Sequence, residues 1–429
     1  MKKKINIITL GCSKNVVDSE VLSTYISKNG YQIVFDGNID QAQIAIVNTC
    51  GFIQDAKQES IDTILQLAKA KDNKIINKLF VMGCLSQLYK KELKEGIPQI
   101  DEIFGVAELP SILDKLKIEQ SSSLNGQRLI STPKHYAFLK IAEGCNRKCS
   151  FCAIPNIRGN YISQTTQNIV EQAKYLVNQG VKELIIISQD TSFYGYDIYK
   201  KFALVDLLKE LVKIDNLEWI RIQYLYPTKD LYQLIDFVAT NPKICKYFDI
   251  PFQHINDQIL KSMRRGHTKE NILNITNYIR EKIPNAVIRS TFIVGYPGET
   301  QQHFDELLAF LNQTKLDRVG FFTYSQEENT FATCLQDDVS IRQKRYRFKT
   351  AMELQSTISL EKNQKKINSI QRVLIDRKEG DFFVGRTQFD SPEVDNEILV
   401  EDNNNIEIGK FYNVEIYDAT EYDLYGHLL

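Results

Sequence analysis

Cys145, Cys149 and Cys152 stand in the run EGCNRKCSFCAIP as a C-x3-C-x2-C triplet. Three soft thiolates at this spacing can hold three irons of a cubane iron–sulfur cluster and leave the fourth iron without a protein ligand. An open iron is a place for a small molecule to bind and react. A structural zinc site would ask for four ligands from paired C-x2-C knuckles, and the sequence has no second knuckle. The triplet follows YAFLKIAEG, which reads as a strand. It therefore lies at a strand's C-terminal end, where α/β enzymes collect their chemistry.

Three further cysteines share a different regularity. Cys12, Cys50 and Cys84 each close an apolar strand-like run, in INIITLGC, IAIVNTC and LFVMGC. In a doubly wound sheet such ends line one crevice, so the three thiols are expected to converge into a second three-cysteine site. Gly11, Gly51 and Gly83 flank them and let the backbone approach a bulky ligand. Cys245 and Cys334 lack this placement and read as structural thiols.

The elements that must position these thiols fall into three segments. Residues 1–117 alternate apolar runs with helical patterns: INIITL with VDSEVLSTYISKNG, IAIVN with IQDAKQESIDTILQLAKA, LFVM with SQLYKKELKEGI, then EIFGVAELPSILDKLK. Such alternation predicts an α/β, doubly wound domain with a parallel sheet. Residues 118–135 include the polar stretch SSSLNGQRLISTPKH and read as a linker. Residues 136–365 carry six candidate strands, YAFLKIAEG, ELIIISQD, WIRIQYLYP, YFDIPFQH, VIRSTFIVGYPGE and RVGFFTYS, most of them separated by helical stretches. Six βα units predict a partial (βα)6 TIM-like barrel rather than the closed eightfold one. A basic helix follows with Arg342, Lys344, Arg345, Arg347 and Lys349. Residues 366–429 hold short β runs, RVLIDR, DFFVGRT, EILVE and FYNVEIYDAT, and predict a small C-terminal β-barrel.

Bulk properties narrow the function classes. The chain of 429 residues has a formal net charge of −1, which excludes whole-chain attraction to nucleic acid. No apolar run reaches the ~20 residues that span a bilayer, and MKKKINIITLGCSKN is too short in its apolar part for a signal peptide. Eight cysteines in a chain of this size, three of them clustered, fit a reducing compartment. A cytoplasmic enzyme is expected. From Gln371 onward five Lys/Arg face fourteen Asp/Glu, a net of −9.

With these residues in hand, the chain resembles the radical S-adenosylmethionine (AdoMet) enzymes, through CNRKCSFC, and among them the methylthiotransferases. The resemblance covers essentially the whole chain: an N-terminal methylthiotransferase domain, a radical AdoMet barrel and an OB-like TRAM barrel. LGCSKNVVDSE, IAEGCNRKCSFCAIPNIRG and GRTQFDSPEVD resemble the RimO type, which modifies a protein, whereas the tRNA-modifying MiaB type reads more like GCQMN at the first of these. Family members commonly carry Arg where this chain has Gln164.

The resemblance implies two [4Fe-4S] clusters and two roles for AdoMet. One AdoMet would chelate the open iron at Cys145, Cys149 and Cys152 and be cleaved to a 5′-deoxyadenosyl radical. The other would methylate sulfur carried at the cluster of Cys12, Cys50 and Cys84. Candidate AdoMet contacts are Gln189 with Asp190, Gln253 with His254, and Gly295, Gly298 and Glu299 of FIVGYPGE, with Phe151 against the cluster or the adenine. The implied electron donor is a flavodoxin or ferredoxin. The implied substrate is an aspartate β-carbon of the twelfth small-subunit ribosomal protein, free or in the subunit; the alternative is a tRNA adenosine. The acidic C-terminal barrel favours the first, since a basic ribosomal protein suits it and polyanionic tRNA does not. Nucleic-acid contact, through the basic helix, is expected to be secondary, and no membrane is involved.

Overall fold

Runs such as INIIT and IAIVN have no polar alternation, so they need burial on both faces, which parallel sheets provide. In the computed structural model, which describes residues 3–119, 126–401 and 405–429, they are central strands of a five-stranded parallel sheet. Its order is Gln32–Phe35, Lys4–Thr9, Ile44–Thr49, Lys78–Gly83, Glu102–Ile103. One face packs Leu22, Ile26, Ile112 and Leu113 from the helices Ser13–Lys28 and Leu109–Leu116. The other packs Ile64 and Leu67 from Gln54–Asp72. The domain is doubly wound, as the alternation implies.

Three details depart from the sequence reading. Gln32–Phe35 is an added edge strand, four residues long with no fully buried side chain, so no apolar run announces it. SQLYKKELKEGI forms two helices, Cys84–Leu88 and Lys90–Gly96, because Tyr89 leaves helical geometry at φ −124°, ψ 36°. The expected linker is described only in part, since residues 120–125 lie outside the described ones. Its remainder is tied along the first helix: Arg128 pairs with Glu20 at 2.9 Å, Leu129 N–H donates to Thr24 Oγ1, and the Ser131 amide and hydroxyl both donate to Glu20.

The middle segment forms six parallel strands in chain order: Tyr136–Lys140, Glu183–Ile187 and Trp219–Ile222, then Tyr247–Asp249, Val287–Val294 and Arg318–Thr323. The bridge of Ile220 with Ile244 and the bond from Leu225 N–H to Asp249 O link the two halves. Alternate residues such as Leu184 and Ile186 pack against the helices. Their neighbours Ile185 and Ile187 face the other way, with Phe138, onto Val17 of the first N-terminal helix. That helix therefore covers the inner face of the first two strands.

The C-terminal segment is a closed five-stranded barrel in the order Ile370–Glu379, Phe382–Arg386, Ile398–Glu401, Leu424–Leu428, Phe411–Ala419. The fifth strand, Leu424–Leu428, follows the four expected runs and closes the sheet by pairing in parallel with Ile398–Glu401. Among the described residues no helix is long and apolar enough to cross a membrane.

Candidate active site

The Cys145–Cys152 loop leaves its strand through Gly144, at φ +79°; a Cβ there would stand 2.1 Å from the Asn160 carbonyl oxygen. Backbone bonds then shape the loop: Cys145 N–H donates to Gly159 O at 3.1 Å, and Ser150 N–H to Met263 O at 3.0 Å. Burial pushes the Cys145 thiol up to about 11 and the Cys152 thiol up to about 12, and each also feels Cys149. Arg265 Nη1 donates to Cys149 Sγ at 3.3 Å. Thiols held this way give up their protons to a metal rather than to water.

Cys12, Cys50 and Cys84 do converge, and the sequence supplies the fastening. Asn15, fully buried, donates to Leu10 O at 2.8 Å and Thr49 O at 3.1 Å, which joins the ends of the first two cysteine-bearing strands. Thr49 Oγ1 donates to Met82 O at 2.7 Å and joins the third. Cys12 is the residue before the 16-residue helix Ser13–Lys28, at the positive end of its dipole and without a side-chain capping bond. The glycines are spacers: a Cβ on Gly11 would lie 2.8 Å from Cys50 Sγ, one on Gly51 2.8 Å from Leu85 N, and one on Gly83 2.6 Å from Thr49 O. Burial pushes Cys84 up to about 12 against the pull of Arg158, and the charges of Cys12 and Cys50 add to it. Burial also raises Cys50, which feels Cys12.

Among the described residues no group of three His, Cys, Asp or Glu side chains is arranged to hold a single metal ion. A cubane asks something else, one thiolate at each of three corners. Each triplet offers only soft sulfur donors, glycine spacers and one arginine directed at a sulfur. Those features fit a cluster with one free iron at each site.

Arg158 connects the two sites. It ends the short helix Ile154–Arg158 that follows Cys152. Its Nη2 donates to Asn15 Oδ1 at 2.6 Å and Cys84 Sγ at 3.5 Å, and its Nη1 to Asp18 and Glu143, each at 3.0 Å. Glu143 also accepts from Lys140 at 2.6 Å and Gln189 at 2.6 Å. Burial pulls the Glu143 carboxyl upward, yet Lys140 and Arg158 hold it down at about 2. Sequence reasoning missed Asn15, Asp18, Lys140, Glu143 and Arg158. Four of them lie inside the runs LGCSKNVVDSE and IAEGCNRKCSFCAIPNIRG, so nearness to the ligand cysteines was the available signal.

The candidate AdoMet contacts line the same strand ends with unequal freedom. Gln189 Oε1 and Asp190 Oδ1 are buried without a hydrogen bond, and His254 Nε2 faces Glu299 Oε1 at 4.0 Å. Asp190 pairs with Arg147 at 2.7 Å. Gln253 sits at φ +74°, bridged to Phe292. Gly295, at φ +74°, and Tyr296 both donate their amides to Glu299 Oε2, so Glu299 closes the glycine turn while its Oε1 faces Arg347 Nη1 at 3.6 Å. Gly298 is also at positive φ, with its amide on Asp338. Phe151 packs with Ile259, Met263, Tyr296 and Tyr324. Gln164 donates to Lys140 O at 2.6 Å and accepts from Gln172. Cys245 is buried beside Trp219 and Tyr247, whereas Cys334 is exposed.

Comparison with known proteins agrees with this arrangement. Residues 139–311 match the Radical SAM superfamily, residues 4–105 the uncharacterized protein family UPF0004, and residues 367–429 the TRAM domain. Two solved structures share the fold: the radical AdoMet methyltransferase TsrM from Kitasatospora setae and the cobalamin-dependent radical enzyme OxsB. TsrM is 13% identical, with a TM-score of 0.54 and 75% of each chain covered. OxsB is 12% identical, with a TM-score of 0.52 and 77% of this chain and 54% of that one covered. Fold and matches together define a radical AdoMet enzyme with an added N-terminal domain and a TRAM barrel. Proteins named ribosomal protein uS12 methylthiotransferase RimO are similar along the whole length. That of Flavobacterium johnsoniae is 50% identical over 99% of this chain and 98% of its own. That of Bacteroides thetaiotaomicron is 44% identical over 100% and 99%. The chain belongs to the RimO family of methylthiotransferases.

Proposed function

We propose that this enzyme adds a methylthio group to the β-carbon of an aspartate in the ribosomal protein uS12, the substrate that its relatives' names carry. The observation that carries the reading is the pair of thiol triplets joined through Arg158. In this reading Cys145, Cys149 and Cys152 hold one [4Fe-4S] cluster, and Cys12, Cys50 and Cys84 hold a second. When bound, the clusters and AdoMet supply the electron, the radical and the methylthio group. Gln189, Gln253 and Gly295 lie on the AdoMet side, where Glu299 fixes the Gly295 turn and Phe151 packs beneath it. Residues 1–117, linked by 118–135 to 136–365, and the contiguous 366–429 act as three functional domains. A flavodoxin or ferredoxin supplies electrons, and the enzyme works in the cytoplasm.

Substrate choice rests on charge. The outer acids Asp381, Glu401 and Asp418 of the small barrel are exposed and suit a basic protein. The basic helix, now seen as Ile341–Gln364, does not present one continuous cationic face to RNA. Lys344 is buried against Asp337 at 2.5 Å, and Arg347 donates to Glu299 O at 2.9 Å. The test is mass spectrometry on anaerobically reconstituted enzyme with AdoMet, sulfide and reductant, offered uS12 in one tube and bulk tRNA in another. Exchange of hydrogen for a methylthio group on the uS12 aspartate is the expected result; the same gain on tRNA alone would reject the reading. Reversing the charge of Asp381, Glu401 and Asp418 to Lys should weaken uS12 binding without loss of AdoMet cleavage.

A further inference from the structure

The only side chain among the described residues seen to touch a thiol of one triplet and the strand-end network of the other is Arg158. Its side chain is 2% exposed, and its fork is fully committed. Nη2 reaches Cys84 Sγ at 3.5 Å and Asn15 Oδ1 at 2.6 Å; Nη1 reaches Asp18 Oδ2 and Glu143 Oε1 at 3.0 Å. Asn15 is the clasp of the second triplet, and Glu143 lies two residues before Cys145. Lys140 bonds both Asp18 and Glu143. Two cations thus meet two carboxylates, and the charge of the quartet balances. The bond to Cys84 Sγ is added to this balanced set. Ala153 and Ile157 of the same helix pack directly on Cys84, so the arginine cannot swing away without opening the domain contact.

We propose that Arg158 is a positioning residue. It fixes the cluster at Cys12, Cys50 and Cys84 at a set distance from the cluster at Cys145, Cys149 and Cys152, and it tunes the first by donating to the Cys84 sulfur. The inference rests on the two-cluster reading. Hydrogen bonds to ligand sulfurs set cluster potentials, and a charged donor raises a potential because it favours the more negative, reduced state. Lysine keeps the charge but has no fork, so it cannot serve Cys84, Asn15, Asp18 and Glu143 together.

Iron content and potentiometric electron paramagnetic resonance of the wild-type protein come first. One cluster per chain would reject the two-cluster reading itself, whatever Arg158 does. With two clusters present, Arg158→Lys and Arg158→Met are compared with the wild type by potentiometry, by dipolar distance between the clusters, and by both reactions. The expected result is that one of the two potentials falls in Arg158→Met while the other holds, and that the dipolar distance broadens. Methylthio transfer should drop by about 10–100-fold while AdoMet cleavage is retained. Arg158→Lys should restore the potential better than the geometry. Unmoved potentials and distance, or an equal loss of both reactions, would overturn the proposal and leave Arg158 a structural ion-pair partner. If Arg158→Met does not load, Arg158→Lys alone decides, by the dipolar distance.

Discussion

Glu183 is fully buried at the base of the second barrel strand, and its two carboxylate oxygens are divided between two arginines. Oε1 accepts from Arg221 Nε at 2.8 Å, and Oε2 from Arg386 Nη1. Arg386 continues to Asp376 at 2.8 Å, which pairs with His135 at 2.7 Å, while Arg221 donates to the carbonyls of Thr387 and Gln388. This network seats the C-terminal barrel in the open inner face of the (βα)6 sheet. In Glu183→Gln the two guanidiniums, 0% and 1% exposed, lose a negative charge that water cannot replace. Removing one member of a buried pair costs about 3–5 kcal/mol. The one tryptophan, Trp219, packs edge-on against Phe411 of the small barrel at 4.7 Å, so its fluorescence in urea reads this junction. With a slope of about 2–3 kcal/mol per molar, the midpoint should fall by about 1–2.5 M. Lys213→Ala, which breaks an exposed pair with Glu210, should cost under about 1 kcal/mol. In Glu183→Gln with Arg221→Met the guanidinium left without a carboxylate is gone, while Arg386 keeps Asp376, so part of the loss should return. A Glu183→Gln midpoint indistinguishable from that of Lys213→Ala would refute the reasoning.

The second site and a buried histidine give further tests. Gly11→Ala puts a methyl 2.6 Å from Cys50 Cβ at a φ of +87°; iron per chain should fall toward half, and a full complement would show the spacer role to be wrong. Replacing Cys12, Cys50 and Cys84 together should abolish methylthio transfer and leave 5′-deoxyadenosine formation, measured by chromatography. His267 is pushed down to about 3 by burial and by the charges of Arg265 and Arg147. The unfolded chain therefore takes up a proton near pH 6.5 that the folded one refuses. Stability tied to this residue is full above that value and drains as pH falls toward about 3, by up to about 1.4 kcal/mol per unit. His267→Asn should flatten the melting-temperature profile over that window, and an unchanged slope would place the acid sensitivity elsewhere.

What was legible in the sequence follows from range. Each cysteine ends an apolar run, and strand ends of one sheet share a crevice, so the convergence of Cys12, Cys50 and Cys84 could be read without coordinates. The same logic gave six barrel strands, because VIRSTFIV or ELIII must be buried wherever it lies. The clasp made by Asn15 and the bridge made by Arg158 were not legible. An Asn or Arg beside a ligand has no pattern of its own, and its partners are set by how two domains meet. The edge strand Gln32–Phe35 escaped for the opposite reason, since it buries too little to leave a periodic signal.

The charge of the small barrel shows where composition stops being a surface property. Its fourteen acids and five bases read as a uniformly acidic body. In the fold, Asp390 pairs with Arg318 at 2.8 Å, Asp395 with Arg289 at 3.3 Å, and Asp376 with Arg386 and His135. Arg318 and Arg289 belong to the (βα)6 barrel, so Asp390 and Asp395 dock one domain on the other. The cationic inner face of the half-barrel needs those carboxylates: the arginines there are buried, and an unpaired buried charge is costly. Deleting residues from Gln371 onward would therefore strand Arg318, take Asp395 from Arg289 and two carbonyl acceptors from Arg221, and open the junction, whatever the barrel binds. The acids free to meet a basic substrate are the outer ones, Asp381, Glu401 and Asp418, and point changes there separate recognition from assembly.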